Sequence, residues 1–175
     1  MDTKTRREFI DIAASPERVW NALTDTAESA RWYFGTGIES SFEAGARYHY
    51  TFPDGRVAIE GTIITADAPH TIDMTFHAIW GENVAKDEPT RVIWSVERVG
   101  EGSRVSVTHE NLVPGSATEQ EVASGWPELL NRLKHYLESS RETTIEAIVQ
   151  GKAMLSDPDT ELFQNAGSLR KAIDV

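Results

Sequence analysis

The sequence predicts an α+β domain, and three observations carry that expectation. Apolar residues alternate with period two in successive runs between Phe42 and His109. The connections between those runs are short and rich in turn residues. A broad helical stripe from Val122 to Leu137 then closes the pattern. Short connections favour an antiparallel meander, because parallel strands need crossovers of about a dozen residues or more. The expected order is one strand, two short helices, about six further strands and one long C-terminal helix. A strongly twisted sheet beneath a long helix leaves room for a cleft, which is a natural place for a ligand.

The first strand is "EFIDIAA", with Ile10, Ile12 and Ala14 on one face. A helix start follows. Ser15 is a suitable N-cap, Pro16 suits the first helical position, and Glu17 lies in the turn favoured by the helix dipole. Val19, Trp20 and Leu23 follow at helical spacing. "TAESARWYF" predicts a second short helix that brings Trp32, Tyr33 and Phe34 to the same region, ending at Gly35 and Gly37.

Beyond these glycines the period changes to two. Tyr48, Tyr50 and Phe52 share a face, with His49 and Thr51 on the other, and Pro53-Asp54-Gly55 turns the chain into the next strand. "HTIDMTFHAIW" predicts a strand with Ile72, Met74, Phe76, Ala78 and Trp80 alternating against Asp73, Thr75 and His77. A hairpin about Gly100-Glu101-Gly102 aligns Val92, Trp94 and Val96 with Val105, Val107 and His109. After the loop "NLVPGSATEQ", one helical stripe carries Val122, Trp126, Leu129, Leu130, Leu133, Tyr136 and Leu137. Gly125 before Trp126 predicts a close approach of the helix start to a strand.

Residues 141–175 read differently. Ile145, Ile148 and Val149 stand at helical spacing, Gly151 predicts a break, and Asp157-Pro158-Asp159 a turn. We therefore divide the chain into a domain at 1–140 and a helical extension at 141–175. Packing on the domain, a homodimer contact and fraying are its three open readings.

Composition narrows the function classes. The 175 residues hold 17 Lys and Arg against 28 Asp and Glu, a net charge of −11 that opposes binding to nucleic acid. Cysteine is absent, which excludes thiolate zinc sites and cysteine nucleophiles. The N-terminus "MDTKTRREFIDIAAS" has no apolar core of a secretion signal, and no run of about 18 apolar residues predicts membrane insertion. The expected compartment is the cytoplasm.

Polar candidates are few. The parity of His109 aims its ring at the expected cleft, where burial favours the neutral imidazole. His49, His70, His77, His109 and His135 lack metal-ligand spacing, so no metal or other cofactor is expected. There is no Gly-x-Ser-x-Gly elbow and no phosphate-binding glycine loop, so no catalytic residue is assigned. The expected cavity wall comprises Trp20, Trp32, Tyr48, Tyr50, Phe76 and Trp80, together with Trp94, His109, Trp126, Leu130 and Leu133. Each of these large residues has a plain core reading beside the cavity reading.

The segments "VWNALTDTAESARWY", "FEAGARYHY", "VSVTH" and "GWPELLNRLKHYLE" carry a family resemblance. They are similar to homologues of the C-terminal domain of the activator of heat-shock protein 90 ATPase. That family is a branch of the START-like, birch-pollen-allergen-like superfamily (SRPBCC). The resemblance covers about residues 5 to 140 and departs at Gly45-Ala46, where relatives carry paired glycines. It implies a helix-grip fold, with a curved antiparallel sheet of about six to seven strands wrapped around the long C-terminal helix and two short helices after the first strand. It also implies an apolar cavity between sheet and helix. The function expected first is binding of a small hydrophobic or amphipathic molecule. Two alternatives stay open: an enzyme performing hydrolysis, cyclisation or acid-base chemistry around His109 with Tyr48 or Tyr50, and a chaperone-associated or regulatory interaction module.

Overall fold

The computed structural model describes the backbone of residues 2–154 and the side chains of residues 2–139. The chain divides into two compact units, Met1–Glu138 and Ser139–Val175. In the first unit, strand β1 (Lys4–Ile12) leads into helices α1 (Pro16–Thr24) and α2 (Thr26–Trp32). Five strands follow, β2 (Gly37–Glu39), β3 (Arg47–Thr51), β4 (Val57–Asp67), β5 (Thr71–Ala78) and, after the short helix α3 (Glu82–Ala85), β6 (Thr90–Val99). Strand β7 (Gly102–Leu112) and helix α4 (Ala117–Met154) complete the order. The seven strands form one curved sheet in the order β1-β7-β6-β5-β4-β3-β2, every pair antiparallel. This is the helix-grip arrangement: the sheet curls around the helix that comes after it in the chain.

Local chemistry explains most boundaries. Ser15 Oγ accepts from the Arg18 amide at 3.1 Å, and Pro16 opens α1. Asp25 repeats the device, its Oδ1 accepting from Glu28 N at 2.9 Å to start α2. The inward residues of β6 and β7 (Val92, Trp94, Val96, Val105, Val107 and His109) are all buried, as their parity requires. On the outer face Arg91 forks onto Asp73 and reaches Glu110 at 3.3 Å, so the buried Asp73 is matched by charge.

One close approach fixes a whole side chain. A methyl group on Gly61 of β4 would lie 2.7 Å from Tyr48 Cε1 and against the Thr75 carbonyl. Glycine there lets the Tyr48 ring cross β4 and donate its hydroxyl to Thr75 O at 2.6 Å.

Several boundaries differ from the expectation. Strand β1 ends at Ile12, so Ala14 lies in the link to α1. Strand β5 stops at Ala78, which removes Trp80 from the alternation. Helix α4 begins at Ala117, earlier than its apolar stripe suggests, because two caps open it: Ser116 Oγ accepts from Glu119 N at 3.1 Å, and Asp87 Oδ2 accepts from Thr118 N at 2.8 Å and Thr118 Oγ1 at 2.7 Å. The break expected at Gly151 is not observed, since the α4 backbone stays helical to Met154. The side chains of Ile145, Ile148 and Val149 and the turn at Asp157-Pro158-Asp159 lie outside the described residues.

Candidate functional site

The space between sheet and helix is filled at one end and open at the other. At the filled end, Trp32 donates its indole N–H to Ala22 O at 2.9 Å and meets Trp94 edge-on at 6.2 Å. Trp94 meets Trp126 edge-on at 5.7 Å, so three indoles form one interlocked series. Leu130, Leu133 and Leu137 of α4 are buried against it. Polar straps tie the same end shut. Glu28 Oε1 accepts from Arg18 at 2.6 Å and Tyr136 Oη at 2.8 Å, while Lys134 Nζ donates to Asp11 O at 2.9 Å and to Glu138 at 2.7 Å.

At the other end lies a cavity of about 490 Å³, within the roughly 300–1,000 Å³ range of small-molecule sites. Its inner wall comes from Tyr33, Ala58, Ile59 and Phe76, with Val122, Trp126 and Leu129 of α4 opposite. Phe34, Phe52 and Trp80 ring the mouth. Glu121, Ser124 and Glu128 border it from α4 with their side chains exposed, at the spacing that places residues along one helix flank. Gly125 sits between them, and a methyl group built on it meets nothing within 4 Å. The expected close approach of Gly125 to a strand is therefore wrong: its missing side chain leaves space inside the cavity.

Of the eleven residues expected to form the wall, Phe76, Trp80 and Trp126 border this cavity. The other eight do not, and each has a visible alternative use. Trp32, Trp94, Leu130 and Leu133 belong to the filled end. Trp20 is partly buried on α1. Tyr48 is committed to Gly61 and Thr75, and Tyr50 stacks behind Tyr33 with ring centroids 4.1 Å apart. Burial raises the Tyr33, Tyr48 and Tyr50 hydroxyls above the ordinary phenol range, so all three stay neutral.

His109 stands one layer behind the wall, fully buried against Phe76 and Trp126. Its bonding pattern fixes its tautomer. The Trp126 indole N–H can only donate, and it donates to Nδ1 at 3.0 Å. Nε2 then carries the hydrogen and donates to Thr90 Oγ1 at 2.6 Å, while the Thr90 hydroxyl donates to Phe76 O at 3.2 Å. Desolvation lowers the His109 pKa to about 4. Both ring nitrogens are engaged, so this imidazole has neither a free lone pair nor access to a guest.

The three mouth aromatics, of which Phe34 and Phe52 were not among the expected wall residues, share a signal. Phe34 precedes Gly35, Phe52 precedes Pro53, and Trp80 precedes Gly81. An aromatic just before a breaker leaves its regular element and is not bound to that element's face. Phe34 shows this directly, with φ of 50° after α2 has ended. Trp80 is held by its indole N–H, which donates to Glu121 Oε2 at 2.7 Å.

Among the described residues no three His, Asp or Glu side chains are disposed to hold a metal ion. Among them also, no helix is long and apolar enough to cross a membrane.

Solved structures share this architecture at low sequence identity. Protein MLL2253 from Mesorhizobium loti superposes with a TM-score of 0.66 at 19% identity, over 78% of this chain and 98% of its own. The Aha1 dimer from Colwellia psychrerythraea gives 0.63 at 21%, over 77% and 96%. CalU16 from Micromonospora echinospora gives 0.60 at 16%, over 98% and 88%. At these identities the likeness establishes the fold alone. Curated protein sequences give no match. The sequence profile described as "Activator of Hsp90 ATPase homolog 1-like protein" matches residues 13–138. That span begins after β1 and takes in every residue of the cavity wall, and so the chain belongs to the family of activator of Hsp90 ATPase homolog 1-like proteins.

Proposed function

We propose that this protein binds a small apolar or amphipathic molecule in the cavity beneath the first turns of α4, as a cytoplasmic carrier or sensor. The binding unit is residues 1–140, with 141–175 as an extension. One observation carries the reading: about 490 Å³ of space walled by Tyr33, Ile59, Phe76, Trp126 and Leu129 opens to solvent through a mouth of aromatic rings. Burying ~200 Å² of apolar ligand surface contributes ~5 kcal/mol before association costs. A purely apolar guest would thus bind at about micromolar strength or weaker, and tighter binding requires polar contacts at the mouth.

His109 is not part of the proposal as a catalytic group, since its nitrogens are bonded and its ring is sealed. The regulatory reading rests on residues outside those described. Self-association is suggested only by the dimeric Colwellia relative, and light scattering of the full chain decides it.

Prodan, a neutral naphthalene dye whose emission shifts to the blue in apolar surroundings, tests the cavity. Saturable binding with a blue shift is expected for the native chain. Gly125→Leu should abolish it while leaving thermal unfolding cooperative, because the new side chain enters open space. Absence of saturable binding, or equal binding by the Leu variant, would count against the reading.

A further inference from the structure

The polar composition of the mouth narrows the class of ligand beyond what the shape of the cavity allows, given the reading of that cavity as a ligand site. Among the described residues, those lining the cavity include no lysine, arginine or histidine. The ionisable groups in the lining are Glu121 and Glu128, besides the buried Tyr33 hydroxyl. These two carboxylates are not equivalent. Glu128 Oε1 lies 3.7 Å from Arg132, whose guanidinium also covers the outer face of Phe34 at 4.8 Å. Across the mouth, Arg56 covers Phe52 at 4.9 Å and is matched by Asp54 at 2.8 Å. Each of these two arginines thus has its own carboxylate.

Glu121 has a neutral partner instead. The Trp80 indole donates to Oε2 and holds the carboxylate beside the cavity without cancelling its charge. Among the described residues Oε1 has no hydrogen-bond partner and no cation pairs with Glu121. The mouth therefore presents one negative charge, oriented by a hydrogen bond and set next to aromatic rings whose faces also favour cations.

We propose that the natural ligand carries a cationic amine at its polar end, bound at the mouth by the Glu121 carboxylate with its apolar body in the cavity. Fatty acids and other amphipathic carboxylates are disfavoured at the same place. The repulsion is local, so it survives removal of charges elsewhere on this acidic chain.

Three compounds with one apolar body test it: 2-(1-naphthyl)ethylamine, 2-(1-naphthyl)ethanol and 1-naphthaleneacetate, titrated calorimetrically into the full chain at pH 7. The amine should bind about tenfold tighter than the carboxylate, the size expected of one unit charge at contact in a half-hydrated site, with the alcohol between them. Glu121→Gln keeps the acceptor for Trp80 and should bring the amine and carboxylate within about threefold. Glu128→Gln releases Arg132 and should strengthen carboxylate binding. Glu101→Gln, in the distant β6–β7 turn, controls for overall charge and should change nothing. An amine no tighter than the carboxylate, or a preference that persists in Glu121→Gln, overturns the amine assignment while alcohol and Prodan binding keep the cavity reading. Failure of the alcohol and Prodan alike would remove both.

Discussion

Where Leu130, Leu133 and Leu137 face the sheet, the groove under α4 is packed with interlocking indoles and closed by polar straps at Lys134, Tyr136 and Glu138. Where Val122, Gly125 and Leu129 face it, the same helix spans open space, and its start is held by the Asp87 cap and the Trp80–Glu121 bond. The helix and sheet are shared between the two ends, so the difference lies in side chains. Large rings fill one end. At the other, glycine removes volume, and three aromatics that have left their strands and helices stand around the rim. Stability should therefore concentrate at the filled end and ligand response at the open one.

The strongest way to break that division is to truncate one ring at each end. Trp94→Ala removes the middle indole of a buried series, and a loss of about 3–5 kcal/mol is expected from the cavity it leaves. Phe52→Ala acts on a half-exposed mouth ring and should cost about 1 kcal/mol while weakening Prodan binding. Urea unfolding of both variants checks this. Equal losses would mean that the two ends are not energetically distinct.

Trp126 belongs to both ends, since its ring borders the cavity and its N–H is spent on His109. This makes His109 a pH-dependent element of the packed interior. The folded pKa is lowered to about 4 by desolvation, against 6.5 for the free imidazole. Between these values the unfolded chain holds a proton that the folded chain does not, so folding is favoured at higher pH. The contribution is fully present above about pH 6.5 and is lost as pH falls toward 4, a change of about 3 kcal/mol. It should appear as the difference between native and His109→Gln chains, which share all their carboxylates. Parallel pH profiles would show that His109 titrates normally in the folded protein. Trp126→Phe keeps a ring but leaves Nδ1 without its donor, and should cost about 1–2 kcal/mol.

The sheet was most legible in β6 and β7, where buried and outward residues alternate. Val92, Trp94 and Val96 opposite Val105, Val107 and His109 state both the strands and their buried side. Helix α1 was legible from Ser15 and Pro16, which act within three residues of one another. Strand β2, with three residues, and α3, with four, are shorter than any period that could reveal them. The start of α4 has a local signal that the apolar stripe does not carry, Ser116 capping the Glu119 amide, whereas its second cap, Asp87, lies 31 residues before Thr118, and no local pattern encodes that one. The cavity wall was only partly legible for a related reason. Periodicity tells which side of an element a ring occupies, whereas the choice between packing and cavity depends on what stands opposite. Tyr48 and Trp94 meet Gly61 and Trp126, and Phe76 meets space.

Gly125 allows the smallest and sharpest probe of the two ends. In most helices Gly→Ala gains up to about 1 kcal/mol through propensity alone. Here a methyl group meets nothing within 4 Å, so that gain should appear undiminished in urea unfolding. The same methyl enters the cavity, so Prodan affinity should fall modestly, less than in Gly125→Leu. Stability and binding thus move in opposite directions from one carbon atom. A loss of stability in Gly125→Ala would mean that the helix start packs closely after all. A gain with unchanged affinity would place the guest away from this flank of α4, and Glu121 would then be the wrong carboxylate to hold its polar end.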